Sequence, residues 1–267
     1  MPNVWKKIDK YLAVTRVSIK NVFAYVREMA YRSTFMIVIL FVFIKLWGVA
    51  FADHQSIAGI TYEQTLWYLV VTEAIIMSKI SIGNVISREV ISGSLAYTLG
   101  RPYNYLLYHF FNGFGESIIR LAINVIAGST LVFLFVGPPA VELWVVFPVM
   151  ITILFAIIID FLITAMISFL AFFTEEVSGF FFVYQKILFI LGGLLIPIDF
   201  FPEWLQEFSG LLPFQLILYA PAKLFINFSV ETFNYIILQQ FLWMFALGVT
   251  LGILFLLGKR RLSVNGG

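Results

Sequence analysis

Cysteine is absent from the 267 residues, so this chain can build no disulfide, thiolate metal site or thiol nucleophile. Charge is scarce: Asp, Glu, Lys and Arg together make up 12% of the residues, about half the share of a soluble domain. Histidine occurs twice, at His54 and His109, too far apart in sequence to suggest a metal or acid–base cluster. There is no GxxxxGK[ST] phosphate loop, no HExxH and no GxSxG. No catalytic residues, no metal ligands and no cofactor are therefore expected on this chain. With no soluble basic domain, membrane surface is the expected partner of its cations, not nucleic acid.

What is present in abundance is apolar. Hydrophobic residues account for 61% and aromatic residues for 18%, including thirty Phe. Several runs reach the roughly 20 residues that a bilayer-spanning helix needs, and no alternating strands of barrel type appear. The expected fold is an all-α polytopic membrane protein with six transmembrane helices. The spans are expected at about 34–52, 61–82, 106–136, 144–173, 180–199 and 233–257. They form one domain, 34–267, behind an N-terminal segment, 1–33, read as an amphipathic interfacial helix. In that segment Trp5, Ile8, Leu12, Ile19, Phe23 and Val26 recur at helical spacing, while Lys6, Lys7, Lys10, Lys20 and Arg27 fall largely on other faces. No signal peptide is expected, because no small-residue cleavage site follows the first apolar run.

Lys and Arg set the orientation. Seven lie in 1–33, joined by Arg88, Arg101, Lys259, Arg260 and Arg261 on the same side, against Lys223 alone on the other. Both termini are accordingly expected in the cytoplasm. The longest outer segment, 197–232, is broken by Pro197, Pro202, Pro213 and Pro221 yet stays apolar through Phe200, Phe201, Trp204, Leu205 and Phe208. It is expected to fold as short helices, re-entrant or lying in the outer leaflet, with their backbone groups satisfied internally.

Six charges, Lys45, Glu73, Glu116, Arg120, Asp160 and Lys186, fall within apolar runs together with Lys79. A charge near mid-bilayer costs about 3 kcal/mol, so each normally faces protein or water. Lys45 and Glu73 lie at similar depth on consecutive spans, close enough for a pair to form. Glu116 and Arg120 are four apart on one helix, and Asp160 has no evident mate. Structural pairing and snorkelling are the favoured reading of these charges, with an ion or proton relay as the alternative.

The one polar interruption between spans two and three runs from Ser87 to Pro102. Ile86, Val90, Leu95 and Leu99 can share one side of a broken helix, with Arg88, Glu89 and Ser92 facing elsewhere. Gly93 permits a turn and Pro102 a stop. Arg88-Glu89, then Gly93-Ser94-Leu95, Leu99 and Pro102, resembles the R-E-x-x-x-G-[TS]-L-x-x-L-L-x-x-P pattern of type-2 ABC exporter permeases. Thr98 stands where that family often has leucine, and Val90 and Ile91 where many members carry charge. Gly193-Leu194-Leu195-Ile196-Pro197, followed by Pro202 and Pro213, is similar to the family's segment between spans five and six, and the basic N-terminal helix resembles its elbow helix.

The resemblance implies an exporter permease without its own motor. ATP and Mg would be bound by separate ABC ATPase subunits, and a second permease chain, identical or paralogous, would complete the path. Arg88, Glu89, Ser92, Gly93, Leu95, Arg101 and Pro102, within a coupling segment 83–105, would meet the ATPase. Pro197, Phe200, Phe201, Pro202, Trp204 and Pro213 would form the outer gate. The implied location is the inner cell membrane of a prokaryote, and the aromatic, weakly charged composition suits a hydrophobic or amphipathic substrate. Two other readings stay open at this point: an ion-coupled secondary transporter or channel, and a membrane assembly subunit that transports nothing.

Overall fold

The computed structural model describes residues 4–24, 26–174 and 176–265. The side chains of Trp5, Lys6, Lys7, Val26, Arg27 and Arg261, which carry part of the expected amphipathic face and basic count, lie outside the described residues. The chain forms eleven α-helices among those residues: α1 (Val4–Ala24), α2 (Val26–Ala50), α3 (Tyr62–Met77), α4 (Gly83–Ile91), α5 (Leu95–Leu99), α6 (Tyr105–Val136), α7 (Val146–Phe169), α8 (Ser178–Leu191), α9 (Glu203–Gly210), α10 (Tyr219–Ile226) and α11 (Val230–Asn265). One antiparallel hairpin of two-residue strands, Ser56–Ile57 and Ile60–Thr61, links α2 to α3.

Among the described residues four stretches are long and apolar enough to cross a membrane: Ser33–Ala50, Tyr105–Val136, Leu143–Phe172 and Val230–Arg260. The expected second and fifth spans are shorter than their apolar runs. α3 stops at Met77 instead of running to 82, and α8 stops at Leu191 instead of 199. Both stops have local causes. The chain after α3 turns through Ser78–Ile82 with its backbone held by side chains of α6 (below). After α8, Gly192 caps the helix and Gly193 takes φ +69°, a conformation open to glycine, where an added Cβ would meet the Tyr68 hydroxyl at 2.7 Å.

Helix starts follow local chemistry. Thr61 accepts from the Gln64 amide at 3.3 Å while the Gln64 side chain accepts from the Thr61 amide at 3.0 Å, a capping box that opens α3. Asn104 caps α6 with a one-way bond, its Oδ1 accepting from the Leu107 amide at 3.0 Å.

α3 is the axis of the bundle. From Thr65 to Ile75 every residue is buried, because α2, α6 and α10 pack around it. α7 packs beside α11, α10 and α4. α8 is loosely held: of its residues only Tyr184 and Leu188 are buried, and Phe180, Phe182, Val183 and Ile190 face outward. α1 lies along the start of α6. Its contact is made by the stacked rings of Tyr11 and Phe111, by Thr15 Oγ1 donating to the Phe111 carbonyl at 3.0 Å, and by Ser18 Oγ donating to the Asn112 carbonyl at 2.5 Å. One end of the bundle gathers α4, α5 and the end of α11, with Tyr105, Phe169 and Phe255 in ring contact. The opposite end gathers the hairpin, α9 and α10, where Trp47 meets Phe200 and Trp144 meets Phe228.

Candidate functional site

A polar seam runs through the otherwise apolar interior where α3 breaks. On α6, Ser117, Arg120 and Asn124 follow one another at helical spacing on a single buried face, flanked by Gly113 and Gly128. Each reaches the broken segment. Ser117 Oγ donates to the Ser78 carbonyl at 2.5 Å, an Arg120 guanidinium N–H to the Lys79 carbonyl at 2.9 Å, and Asn124 Nδ2 to Ser78 Oγ at 3.2 Å. Asn124 Oδ1 in turn accepts from Ser33 of α2. A helix interrupted inside a membrane protein leaves carbonyls with no intrahelical partner, and protein side chains must take them up. The glycines permit the approach: a Cβ on Gly113 would fall 2.2 Å from Ile80.

The second half of the seam is an ion pair that the sequence reading left unmatched. Asp160 on α7 is 3% exposed, and its Oδ1 lies 2.6 Å from Lys79 Nζ and accepts from the Tyr184 hydroxyl of α8 at 2.6 Å. The Lys79 ammonium also sits 4.5 Å from the centre of the Tyr184 ring. The stretch after α3, α7 and α8 are thus joined at one point, beside a cavity of about 350 Å³ whose walls include Asn84, Thr164, Phe181 and Gln185. Glu116 and Arg120 form the expected pair on α6, at 3.5 Å. Lys45 and Glu73 do not pair. Lys45 turns outward over the rings of Phe41 and Phe135, at 5.6 Å from each, while Glu73 points into the bundle with Oε2 unpartnered among the described residues. The two side chains lie on opposite faces of their helices, which depth along the sequence does not reveal. Lys186 is exposed and lies over Phe182 and Phe189.

The stretch from 83 to 102 folds as two short helices whose apolar side is the expected one, except that Glu89 does not face away from it. Ile86, Val90 and Leu95 are buried and Leu99 is half-buried, while Arg88, Ser92, Arg101 and Pro102 are exposed. Glu89 faces inward, accepting from the Tyr105 hydroxyl at 2.7 Å with His109 at 3.9 Å. That ties α4 to the first turn of α6. Outward lie Val85, Ile91 and Tyr97, the last 85% exposed. Gly93 joins the helices at φ +72° with open space where a Cβ would stand. Gly93→Val therefore carries only the left-handed backbone cost, about 1–2 kcal/mol. An unfolding free energy lowered by that amount, with the rest of the bundle unchanged, is the expected result.

At the opposite end, the segment after α8 is held by side chains of α3 and α11. The Tyr68 hydroxyl donates to the Gly193 carbonyl, Thr72 Oγ1 to the Leu194 carbonyl at 2.9 Å, and Gln240 Nε2 to the carbonyls of Thr152 and Leu216. Lys223 pairs with Asp199 at 2.8 Å, and Gln206 closes the turn by donating to the carbonyls of Asp199 and Phe201. Pro197, Pro202 and Pro213 each stand at the start of a short helix, where the missing N–H costs nothing. Phe200 packs on Trp47, Phe201 is half-buried and Trp204 is 67% exposed. Tyr68, Thr72 and Gln240 escaped the sequence reading. A single hydroxyl or amide in an apolar run carries no signal about which carbonyl it serves.

Comparison with protein families matches residues 35–266 to the family described as ABC-2 family transporter protein. No curated protein matches the chain.

Proposed function

The chain belongs to the ABC-2 family of transporter proteins, and from that premise we propose that it is the membrane permease of an ATP-driven exporter whose motor resides on separate ABC ATPase subunits. ATP and Mg act on those subunits. Six spans cross the inner membrane of a prokaryotic cell, with α3 and α8 completing the four longer helices and both termini in the cytoplasm. The short helices α9 and α10 fold back at the outer face, and Pro197, Phe200, Phe201, Pro202, Trp204 and Pro213 gate that side. A second permease chain, identical or paralogous, lines the path from the other side, and a hydrophobic or amphipathic substrate passes between them.

The observation that carries this reading is the surface of α4 and α5. A buried apolar side fixes both helices to the bundle, while Val85, Ile91 and Tyr97 are left exposed beside Arg88 and Ser92. Apolar side chains displayed on a short helix outside the long spans suit a groove on another protein. Through Arg88, Glu89, Ser92, Gly93, Leu95, Arg101 and Pro102 that partner's motion reaches the chain. Glu89 passes it to Tyr105 at the head of α6, and Gly83, on which a Cβ would stand 2.5 Å from Phe181, passes it to α8.

Co-expression with the ABC ATPase encoded nearest to it tests this. The two are expected to co-purify, and Ile91→Asp is expected to weaken the complex by about thirtyfold, as loss of one central apolar anchor does. A chain that transports at full rate in vesicles with no ATPase present would overturn the proposal.

A further inference from the structure

Between α1 and the junction of α5 with α6 lies a groove of about 680 Å³. Two of its lining residues are cations, Lys10 and Arg101, and none is acidic; Asp9, next to Lys10 in sequence, is not part of the lining. Its apolar wall consists of Ile8, Leu12 and Leu107, which remain 45%, 41% and 44% exposed. Lys10 Nζ donates one hydrogen bond to the Pro102 carbonyl at 2.9 Å and stands 5.2 Å from the centre of the Tyr11 ring; among the described residues its other two N–H groups meet no hydrogen-bond acceptor. Among the described residues the Arg101 guanidinium makes one long hydrogen bond, 3.5 Å to the Tyr103 hydroxyl. The groove opens where the apolar helix α6 begins, beside the amphipathic α1, so it sits at the level where a bilayer's headgroups meet its acyl chains.

We propose that this groove binds an anionic phospholipid, with the headgroup phosphate between Lys10 and Arg101 and an acyl chain along Ile8, Leu12 and Leu107. Each feature argues for that occupant. Two cations without a compensating acid favour a net negative headgroup over a zwitterionic one. Exposed aliphatic side chains in the same groove exclude a fully hydrated anion as a matching ligand, because their surface would stay wet. The bound lipid bridges α1 to the α5–α6 junction, which among the described residues is hydrogen-bonded to α1 through the Lys10–Pro102 bond and the Tyr11 hydroxyl accepting from the Asn104 amide at 3.0 Å. The site would thus make the position of α5 sensitive to the anionic lipid content of the membrane.

The test uses the full-length chain in mild detergent, loaded from equimolar phosphatidylglycerol and phosphatidylcholine and read by native mass spectrometry during stepwise delipidation. Phosphatidylglycerol is expected to be retained over phosphatidylcholine. Arg101→Gln is expected to lower that retention about fivefold, the weight of one cation at an anionic surface. Adding Lys10→Gln is expected to bring it to the phosphatidylcholine level, and Lys259→Gln, an exposed cation at the same end, to leave it unchanged. Leu107→Trp, which fills the apolar wall, is expected to expel both lipids. Equal retention of the two lipids, or retention unaffected by Arg101→Gln, overturns the proposal. Displacement by millimolar inorganic phosphate also overturns it and identifies a soluble anion instead. Lipid retention is read without ATP or ATPase, so its outcome is separate from that of the exporter test.

Discussion

Replacing Lys79 with Met is expected to destabilise the folded chain by about 3–5 kcal/mol, the cost of leaving one member of a buried ion pair without the other. Asp160 is 3% exposed, its Oδ2 has no partner among the described residues, and its Oδ1 would keep only the Tyr184 hydroxyl. Asp160→Asn retains an acceptor for Tyr184 but leaves Lys79, which is 18% exposed, with a route to water, so a smaller loss is expected. The double variant Lys79→Met with Asp160→Leu is expected to recover most of the stability, because an apolar pair of similar volume has no charge to desolvate. Reversible unfolding in mixed micelles would measure the cycle. A single variant within about 0.5 kcal/mol of the parent, the range of ordinary surface substitutions, would show that the pair is open to water and carries no structural weight. The same cycle addresses the relay alternative, since a structural pair predicts transport that follows stability in all three variants.

Gly115→Val is expected to release α1 from α6. A Cβ at position 115 falls 2.7 Å from the Thr15 carbonyl and 3.1 Å from Ser18 Cβ. The carbonyl is backbone and cannot rotate away, so the two helices must separate. Overpacking at such a contact costs about 1–3 kcal/mol. Here it also removes the bonds from Thr15 to Phe111 and from Ser18 to Asn112. Hydrogen exchange should report a gain confined to the amides of α1, with those of α3 and α7 unchanged. Exchange that rises everywhere would mean that α1 is an integral part of the bundle and not a helix docked onto it.

The apolar runs made the long helices legible to within a few residues: α6 and the stretch from Leu143 to Phe172 fall almost where the pattern puts them. The sidedness of α4 and α5 was also legible, because Ile86, Val90 and Leu95 recur at helical spacing and Gly93 marks the turn. The early ends of α3 and α8 were not. Hydropathy continues through Ile80 and Ile82, and through Leu194 and Ile198, since these residues are buried although the backbone there is no longer α-helical. The partner of Asp160 was hidden for a related reason. Lys79 lies in the broken stretch, where the chain departs from the helical path that fixes depth and direction. Ser117, Arg120 and Asn124 did carry a readable signal, three polar residues on one face of an apolar span, although what they bind is invisible without the fold.

The break after α3 bears on how the protein is made. A helix of 16 residues extends about 24 Å, less than the roughly 30 Å of hydrocarbon it would have to cross. It also carries Thr65, Thr72 and Glu73, all buried by its neighbours. Bare lipid offers such a segment neither matching thickness nor partners for its polar groups. Its hydrogen-bond donors on α6 lie 39 to 46 residues further along and emerge from the ribosome later. As the second span of the proposed permease, the α3 stretch is therefore expected to stay sheltered by α2 or by the insertion machinery until α6 arrives. On that reading, what looks in the finished bundle like a gap in one helix is, during synthesis, an interval in which the chain is topologically uncommitted.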